Sequence, residues 1–358
     1  MNTKSHKNNR GITIRRISGN RSNDSLLDSE SDEDLNKEDA GTQKIVWQPL
    51  SQTNNNNCYR PWKGDCPNVP EALHSPMTNF RQLFDKEIIS NIVDYTNMYA
   101  LQCDPAKPIA VSTKMSAVAN ESTMSRTRWR KIKSKIHFSR KLQANATNNA
   151  KVTDSLQKIR PILDKLVKNF NHIPMSEHVC VDEQIIPFKG RHKLKNYMPK
   201  KPKKWGYKAF LLCDSSGLIY NFEIYTGKVI HDPELPNVGS SGNVVLRLAK
   251  IIPKQLFYKI CFDNRFSTLP LVTELEKLGI QSVATVRVTI NAVKWYDNKA
   301  VHLMSTFCEV EAIDIVKRWD KKINRMIDVQ RPNTVKTYQQ MDGVDLVDSL
   351  IALYRIKI

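Results

Sequence analysis

Three short runs decide the architecture: HVCVDEQIIPF (178–188), KKWGYKAFLLCD (203–214) and GLIYNFEIYTG (217–227). Each is rich in β-branched and aromatic residues and is bounded by turn residues or charge, so together they predict an antiparallel meander. Downstream, GNVVLRLAKII (242–252) reads as a helix and LFYKICFDNRF (256–266) as a strand. LPLVTELEKLG (269–279) then reads as a helix and SVATVRV (282–288) as a strand. Three antiparallel strands followed by α-β-α-β predict an α/β sheet with helices on its faces.

Upstream the texture is helical. NFRQLFDKEIISNIVDYTNMYA (79–100) repeats apolar residues every three or four positions, which marks one face of a helix. SRTRWRKIKSKIHF (125–138) and TDSLQKIRPILDKLVKNFNHI (153–173) are further helices, the latter with Thr153 or Asp154 as its N-cap. Residues 1–74 carry few large apolar side chains and an acidic cluster over 28–39, and are expected to be disordered, the polar run SQTNNNNCYRPWKGDCPNVP (51–70) included. The expected domains are therefore a tail over 1–74, a helical domain over 75–175 and an α/β domain over 176–358.

The chain has 358 residues, 40% of them hydrophobic, which is enough for a large packed core. No apolar run reaches the ~18 residues of a membrane span. The start, MNTKSHKNNR, has no apolar core behind its charges, so neither a secretory leader nor a membrane partner is expected. The 7 cysteines form no CxxC pair, which leaves neither a disulfide framework nor a zinc knuckle to read.

Two aspartates lie where carboxylates are costly. Asp182 follows Val179, Cys180 and Val181, and Asp263 follows Ile260, Cys261 and Phe262. An ionised carboxylate ending a buried strand needs a basic partner or a metal. Asn264 adds another oxygen donor after Asp263. A third acidic site is YQQMDGVDLVDSLIALY (338–354), where a continuous helix would line up Asp342, Asp345 and Asp348 at mutual cost of ~0.2–0.5 kcal/mol per pair. Two carboxylates on neighbouring strands and one on a helix form the pattern that holds two divalent ions ~3.5–4 Å apart. Hard oxygen donors suit Mg²⁺ or Mn²⁺.

Basic side chains outnumber acidic ones, with Lys plus Arg at 55 against 36 Asp plus Glu and a formal net charge of +19. One acid-free segment lies between Gln184 and Leu212 and carries Lys189, Arg191, Lys193, Lys195, Lys200, Lys201, Lys203, Lys204 and Lys208, with Tyr197, Trp205 and Tyr207 among them. A second carries Arg126, Arg128, Arg130 and Lys131 around Trp129. Such a run is either a solvated face or a phosphate-binding surface; two runs with aromatics at this net charge favour DNA. KKPKK (200–204) also reads as a nuclear import signal.

The stretch VDEQIIPFKGRHKLKNYMPKKPKKWGYKAFLLCDSSGLIYNFEIYTGK (181–228) resembles the core signature of piggyBac-type transposases and their domesticated derivatives. The similarity runs colinearly over about residues 75–358. It includes MSRTRWRKIKSKIHFSR (124–140), LQKIRPILDKLVKNF (156–170), CFDNRFSTLPLVTELEKLGIQSVATVR (261–287), VKWYDNKAVHLMST (293–306) and VKTYQQMDGVDLVDSLIALYRI (335–356). The element order already noted is that of an RNase H-like core. The resemblance implies a DDE/D catalytic domain with Asp182, Asp263 and Asp345 as catalytic aspartates and Asp348 as a further metal-side acid. It implies Mg²⁺ or Mn²⁺ as cofactor and double-stranded DNA, at transposon ends and TTAA targets, as substrate. A homodimer in the nucleus is implied too, with the helical segment serving dimerisation and DNA binding. A domesticated, catalytically idle DNA- or chromatin-binding protein is the competing expectation.

Departures from the family pattern are equally specific. Only Val288 to Ala292 separate TVR (285–287) from VKWYDNK (293–299), which reads as a shortened insertion. The family's MGGVD is MDGVD here, with Asp342 in place of a glycine that lets backbones approach closely. Arg265 follows Asn264 where an aromatic is usual and is placed to pair with Asp263 or Asp345. The chain reads as truncated after the third aspartate, without the family's zinc-binding tail.

Overall fold

The structure, a computed structural model, describes residues 59–65, 75–112, 125–139, 154–199, 201, 203–227, 232–286, 293–296, 300–308, 313–320 and 323–353. Residues 61–284 with 338–358 form one unit and residues 1–60 with 285–337 another. This partition groups the helical segment with the sheet rather than dividing them near residue 175.

The first unit is built on β1 (His178–Pro187), in which Val179, Cys180, Val181, Glu183, Gln184 and Ile185 are all buried. Burial of successive residues marks an interior strand covered on both faces. β2 (Lys195–Tyr197) pairs antiparallel with the start of β3 (Trp205–Asp214), and β3 pairs antiparallel with β1 along its length. Gly206 permits that approach, because a Cβ there would collide with the Ile186 carbonyl. β4 (Ile219–Ile224) returns antiparallel along β3. On its other side β1 pairs parallel with β5 (Lys259–Phe262), which pairs parallel with β6 (Gln281–Thr285). The meander and the parallel strands after it follow the sequence reading.

The crossovers are helical, as parallel pairing requires. α1 (Pro76–Leu83) and α2 (Lys86–Cys103) replace the single helix expected over 79–100. The break is Asp85, whose carboxylate accepts from Ile88 N–H and caps α2. α3 (Arg126–Lys135) is capped by Ser125. α4 (Arg160–Phe170) starts later than Asp154 suggested. Asp154 accepts from Leu156 N–H and from the Arg160 guanidinium in the turn ahead of it, and Pro161 occupies the first helical turn.

α5 (Ser240–Ala249) packs against β3, β4 and α6 (Leu269–Lys277). Thr268 caps α6 by accepting from Leu271 N–H. Leu271, Leu275, Phe266, Leu212 and Val283 are fully covered in the core between these layers, each worth roughly 1.5–3 kcal/mol of burial.

Residues 61–65 correct the expectation of disorder through Pro70. Trp62 packs edge-on against Tyr258 at 5.6 Å, and Lys63 N–H donates to the Leu256 carbonyl. The rest of the expected tail, its acidic cluster 28–39 included, lies outside the described residues.

The second unit is β-rich. β7 (Val293–Tyr296) pairs antiparallel with β8 (Ala300–Ser305), and β9 (Asp314–Asp320) with β10 (Arg325–Arg331). Trp295 Nε1 donates to the Gln330 carbonyl, and Arg331 closes β9–β10 on Asp314. The short connection 288–292 lies outside the described residues. α7 (Asn333–Met341) follows, and α8 (Val344–Leu353), itself part of the first unit, lies against β1 and β3 there.

Candidate active site

Alternation along β1 sends Cys180, Asp182 and Gln184 to one face and Val181, Glu183 and Ile185 to the other. Val181 pairs with Phe262 in the last rung of the parallel β1–β5 ladder, and the next residue along each segment is an aspartate, Asp182 on β1 and Asp263 just beyond the end of β5. The two strand carboxylates therefore stand on neighbouring chains at one end of the sheet. α8 supplies the rest. Gln184 Nε2 donates to Asp348 Oδ1 at 3.1 Å, and Gly343 N–H donates to Cys180 Sγ at 3.2 Å, which seats the start of α8 over this face.

Asp342, Asp345 and Asp348 do not share one helix. α7 ends at Met341 and α8 begins at Val344, with Asp342 and Gly343 between them. Gly343, not position 342, carries the close approach, since a Cβ there would run into the Asp214 carbonyl. Asp342 thus stands where a side chain is tolerated. Burial first, then the charge of Asp345, pushes its carboxyl up to about 6.

Lys201, at the tip of the β2–β3 connection, ties the cluster together. Its Nζ lies 3.7 Å from Asp182, 3.5 Å from Asp345 and 3.9 Å from Asp348. Burial works against its charge, and the three carboxylates outweigh that and raise its pKa. Asp182 is pushed well above the usual carboxylate range by burial and then by Glu183, with Lys201 pulling the other way. Among the described residues, no set of three His, Cys, Asp or Glu side chains closes to metal-holding geometry. A single ammonium, that of Lys201, stands among the three acids. The donor set is nonetheless all carboxylate oxygen around a cation position, which fits Mg²⁺ or Mn²⁺.

The opposite face of β1 holds a different cluster. Glu183 Oε1 meets Lys208 Nζ at 3.1 Å and Arg265 Nη1 at 3.0 Å. Arg265 therefore pairs with Glu183, not with Asp263 or Asp345 as its position in DNRF suggested. Burial alone would raise the Glu183 carboxyl, but the hydrogen bond from Asp182 and the charges of Lys208 and Arg265 hold it low. For Lys208, burial outweighs Glu183 and lowers its pKa.

Cys213, Cys180 and Cys261 face one another across β3, β1 and β5, with 3.3 Å between the Cys180 and Cys213 sulfurs. All three are buried free thiols beneath the acidic end of the sheet.

Of the basic residues singled out, Lys201 reaches the carboxylates. Lys189, Arg191 and Lys193 are exposed on the β1–β2 connection and Lys203 and Lys204 on the β2–β3 connection, and Lys195 is half-buried on β2. Arg126, Arg128, Arg130 and Lys131 are exposed on α3. Lys200 lies outside the described residues. Glu183 escaped the sequence reading, although it is an ionisable residue inside an apolar strand run, the same signal that marked Asp182; Lys208, counted there with the basic segment, is instead buried against it.

This sheet order, with two strand aspartates and an acidic helix, is that of an RNase H-like DDE core. The family model described as Transposase IS4 matches residues 111–292, half of the chain, and the chain belongs to that family. Within it, the chain is a transposase or transposase-derived protein of the piggyBac type. It is 27% identical over 353 residues to human PiggyBac transposable element-derived protein 3, covering 80% of this chain and 57% of that protein. Over 361 residues it is 23% identical to human PiggyBac transposable element-derived protein 2, covering 83% and 60%. The chain thus spans less than two thirds of these relatives. The fold also resembles the piggyBac transposase solved by cryo-EM as a synaptic complex with hairpin DNA, with a TM-score of 0.59 and 22% identity over 78% of this chain and 68% of that one.

Proposed function

We propose that this chain is the core of a metal-dependent DNA strand-transfer enzyme that cuts and joins phosphodiesters at TTAA sites, acting as a homodimer in the nucleus. The observation that carries the reading is the meeting of Asp182 from β1 with Asp345 and Asp348 from α8 around one cation position, with Asp263 following directly on the last β1–β5 pair. Asp182, Asp263 and Asp345 are the residues that would hold Mg²⁺ or Mn²⁺, with Asp348 assisting. The chemistry supplied by the bound ions is activation of a water or 3′-hydroxyl and stabilisation of the leaving oxygen.

The chain's own groups do the positioning. Gln184 fixes Asp348 through its amide. Arg265 and Lys208 hold Glu183 on the far face and so keep a second ionised acid away from the reacting side. The exposed lysines and arginines of the β1–β2 and β2–β3 connections and of α3 bind phosphates.

A second reading, an idle DNA- or chromatin-binding derivative, is favoured by Lys201, whose ammonium already takes the cation position among the acids. A strand-cleavage and transfer assay with Mg²⁺ on TTAA-ended DNA separates the two. Cleavage lost in Asp182→Ala, Asp263→Ala and Asp345→Ala supports catalysis. Activity that persists in Asp263→Ala overturns it, and salt-sensitive DNA binding without cleavage leaves the second reading.

A further inference from the structure

We infer that Tyr197 and Trp205 form a stacking platform for an unpaired nucleobase, beside the acidic cluster. The inference rests on the DNA-processing reading above and adds a binding site to it. Tyr197 and Trp205 lie directly opposite each other in the β2–β3 ladder. Their ring centroids are 4.7 Å apart with a tilt of 44°. Neither is a core residue, since Tyr197 is 49% and Trp205 52% exposed. Lys195 Nζ stands 4.9 Å from the Trp205 ring centroid and is anchored to the Gly190 carbonyl at 3.1 Å.

Scattered exposed aromatics are ordinary. Two in register, tilted against each other and with an ammonium over one of them, make an exposed aromatic surface that carries positive charge. A nucleobase offers a π-face and its backbone an anion, so it matches both parts at once. The surrounding segment between Gln184 and Leu212 contains no acid, which suits a phosphate chain. In a paired duplex the base faces are stacked on each other, so the platform selects bases that are single-stranded, bulged or extruded.

Position on the chain ties this surface to the acids. The connection from Tyr197 to Trp205 is the one whose tip places Lys201 against Asp182, Asp345 and Asp348. It is pinned at its base, where Met198 N–H donates to the Lys204 carbonyl and Phe188 N–H to the Trp205 carbonyl. A base held on the two rings therefore keeps the adjoining phosphodiester within reach of the same connection.

The test is fluorescence anisotropy with the full chain, comparing a labelled duplex carrying a one-nucleotide bulge with the same duplex fully paired. The bulged duplex is expected to bind more tightly. Tyr197→Ala should weaken bulge binding by roughly 5- to 150-fold, the range for losing one aromatic under a base, and leave the paired duplex nearly unchanged. Trp205→Ala should do likewise, and Tyr197→Phe and Trp205→Phe should restore the preference. Tyr197 sits on a short edge strand, so its alanine variant remains informative should Trp205→Ala fail to fold. Equal binding of both duplexes, or a Tyr197→Ala chain that melts normally and keeps the preference, overturns the platform while leaving the enzyme reading intact. Loss of all DNA binding in the wild-type chain overturns both.

Discussion

Asp182 and Glu183 are consecutive residues on one strand, yet they enter opposite kinds of site. On the α8 face, Asp182 shares a single ammonium with Asp345 and Asp348, so negative charge is in excess. On the α5 face, Glu183 alone faces Lys208 and Arg265, so positive charge is in excess. A buried ion pair whose charges are already compensated leaves little for a ligand to do, whereas a surplus of carboxylates invites one. Charge stoichiometry, more than burial, separates the structural cluster from the one proposed to be functional.

The largest expected effect tests the structural side. Glu183 and Lys208 side chains are only 8% and 5% exposed, so Glu183→Ala strands a buried ammonium and should cost about 3–5 kcal/mol. Urea denaturation measures it, and a loss near zero would mean that the α5 face is wet and the contrast unreal.

On the other face, Lys201→Ala removes the shared cation. The variant should melt lower in chelator than the wild type and regain more on Mn²⁺ addition. That gain is on the order of 1–3 kcal/mol at 10–100 times Kd. Identical Mn²⁺ responses in the two proteins would show that the ammonium and the divalent ion do not compete for one place.

The smallest effect at neutral pH sharpens the pair by titration. Glu183 is held below its ordinary value of 4.5, so its contribution is full above that value and disappears as pH falls through the lowered one. Asp182 is raised above 3.8, so its contribution is full below that value and is lost as pH rises through the raised one. In chelator, Asp182→Asn should therefore flatten the fall in stability between about pH 4 and pH 9 and leave the loss below pH 4.5 in place. Parallel profiles would refute the opposite signs.

Much of this arrangement is legible in the sequence, for physical reasons. Apolar runs ending in Asp182 and Asp263 identify adjacent strands, because each carboxylate breaks a pattern that burial enforces. The helix–strand alternation after Gly242 reads directly from its period. What could not be read depends on contacts distant along the chain. Apolar periodicity continues across Asp342–Gly343, and only the approach of the Asp214 carbonyl shows where the helix must break. Arg265 could be assigned to any nearby acid until alternation placed Glu183 on its side of the sheet. Trp62 looked like part of a polar tail until Tyr258 supplied its partner.

Gly343 also bears on how such a site decays. The first turn of α8 keeps its station because one backbone position has nothing attached to it but hydrogen. A single added methyl group there would lever Asp345 and Asp348 off the sheet while every acid stayed intact. A descendant could thus be disarmed without any change among its acids, and an inventory of aspartates would still count it as armed.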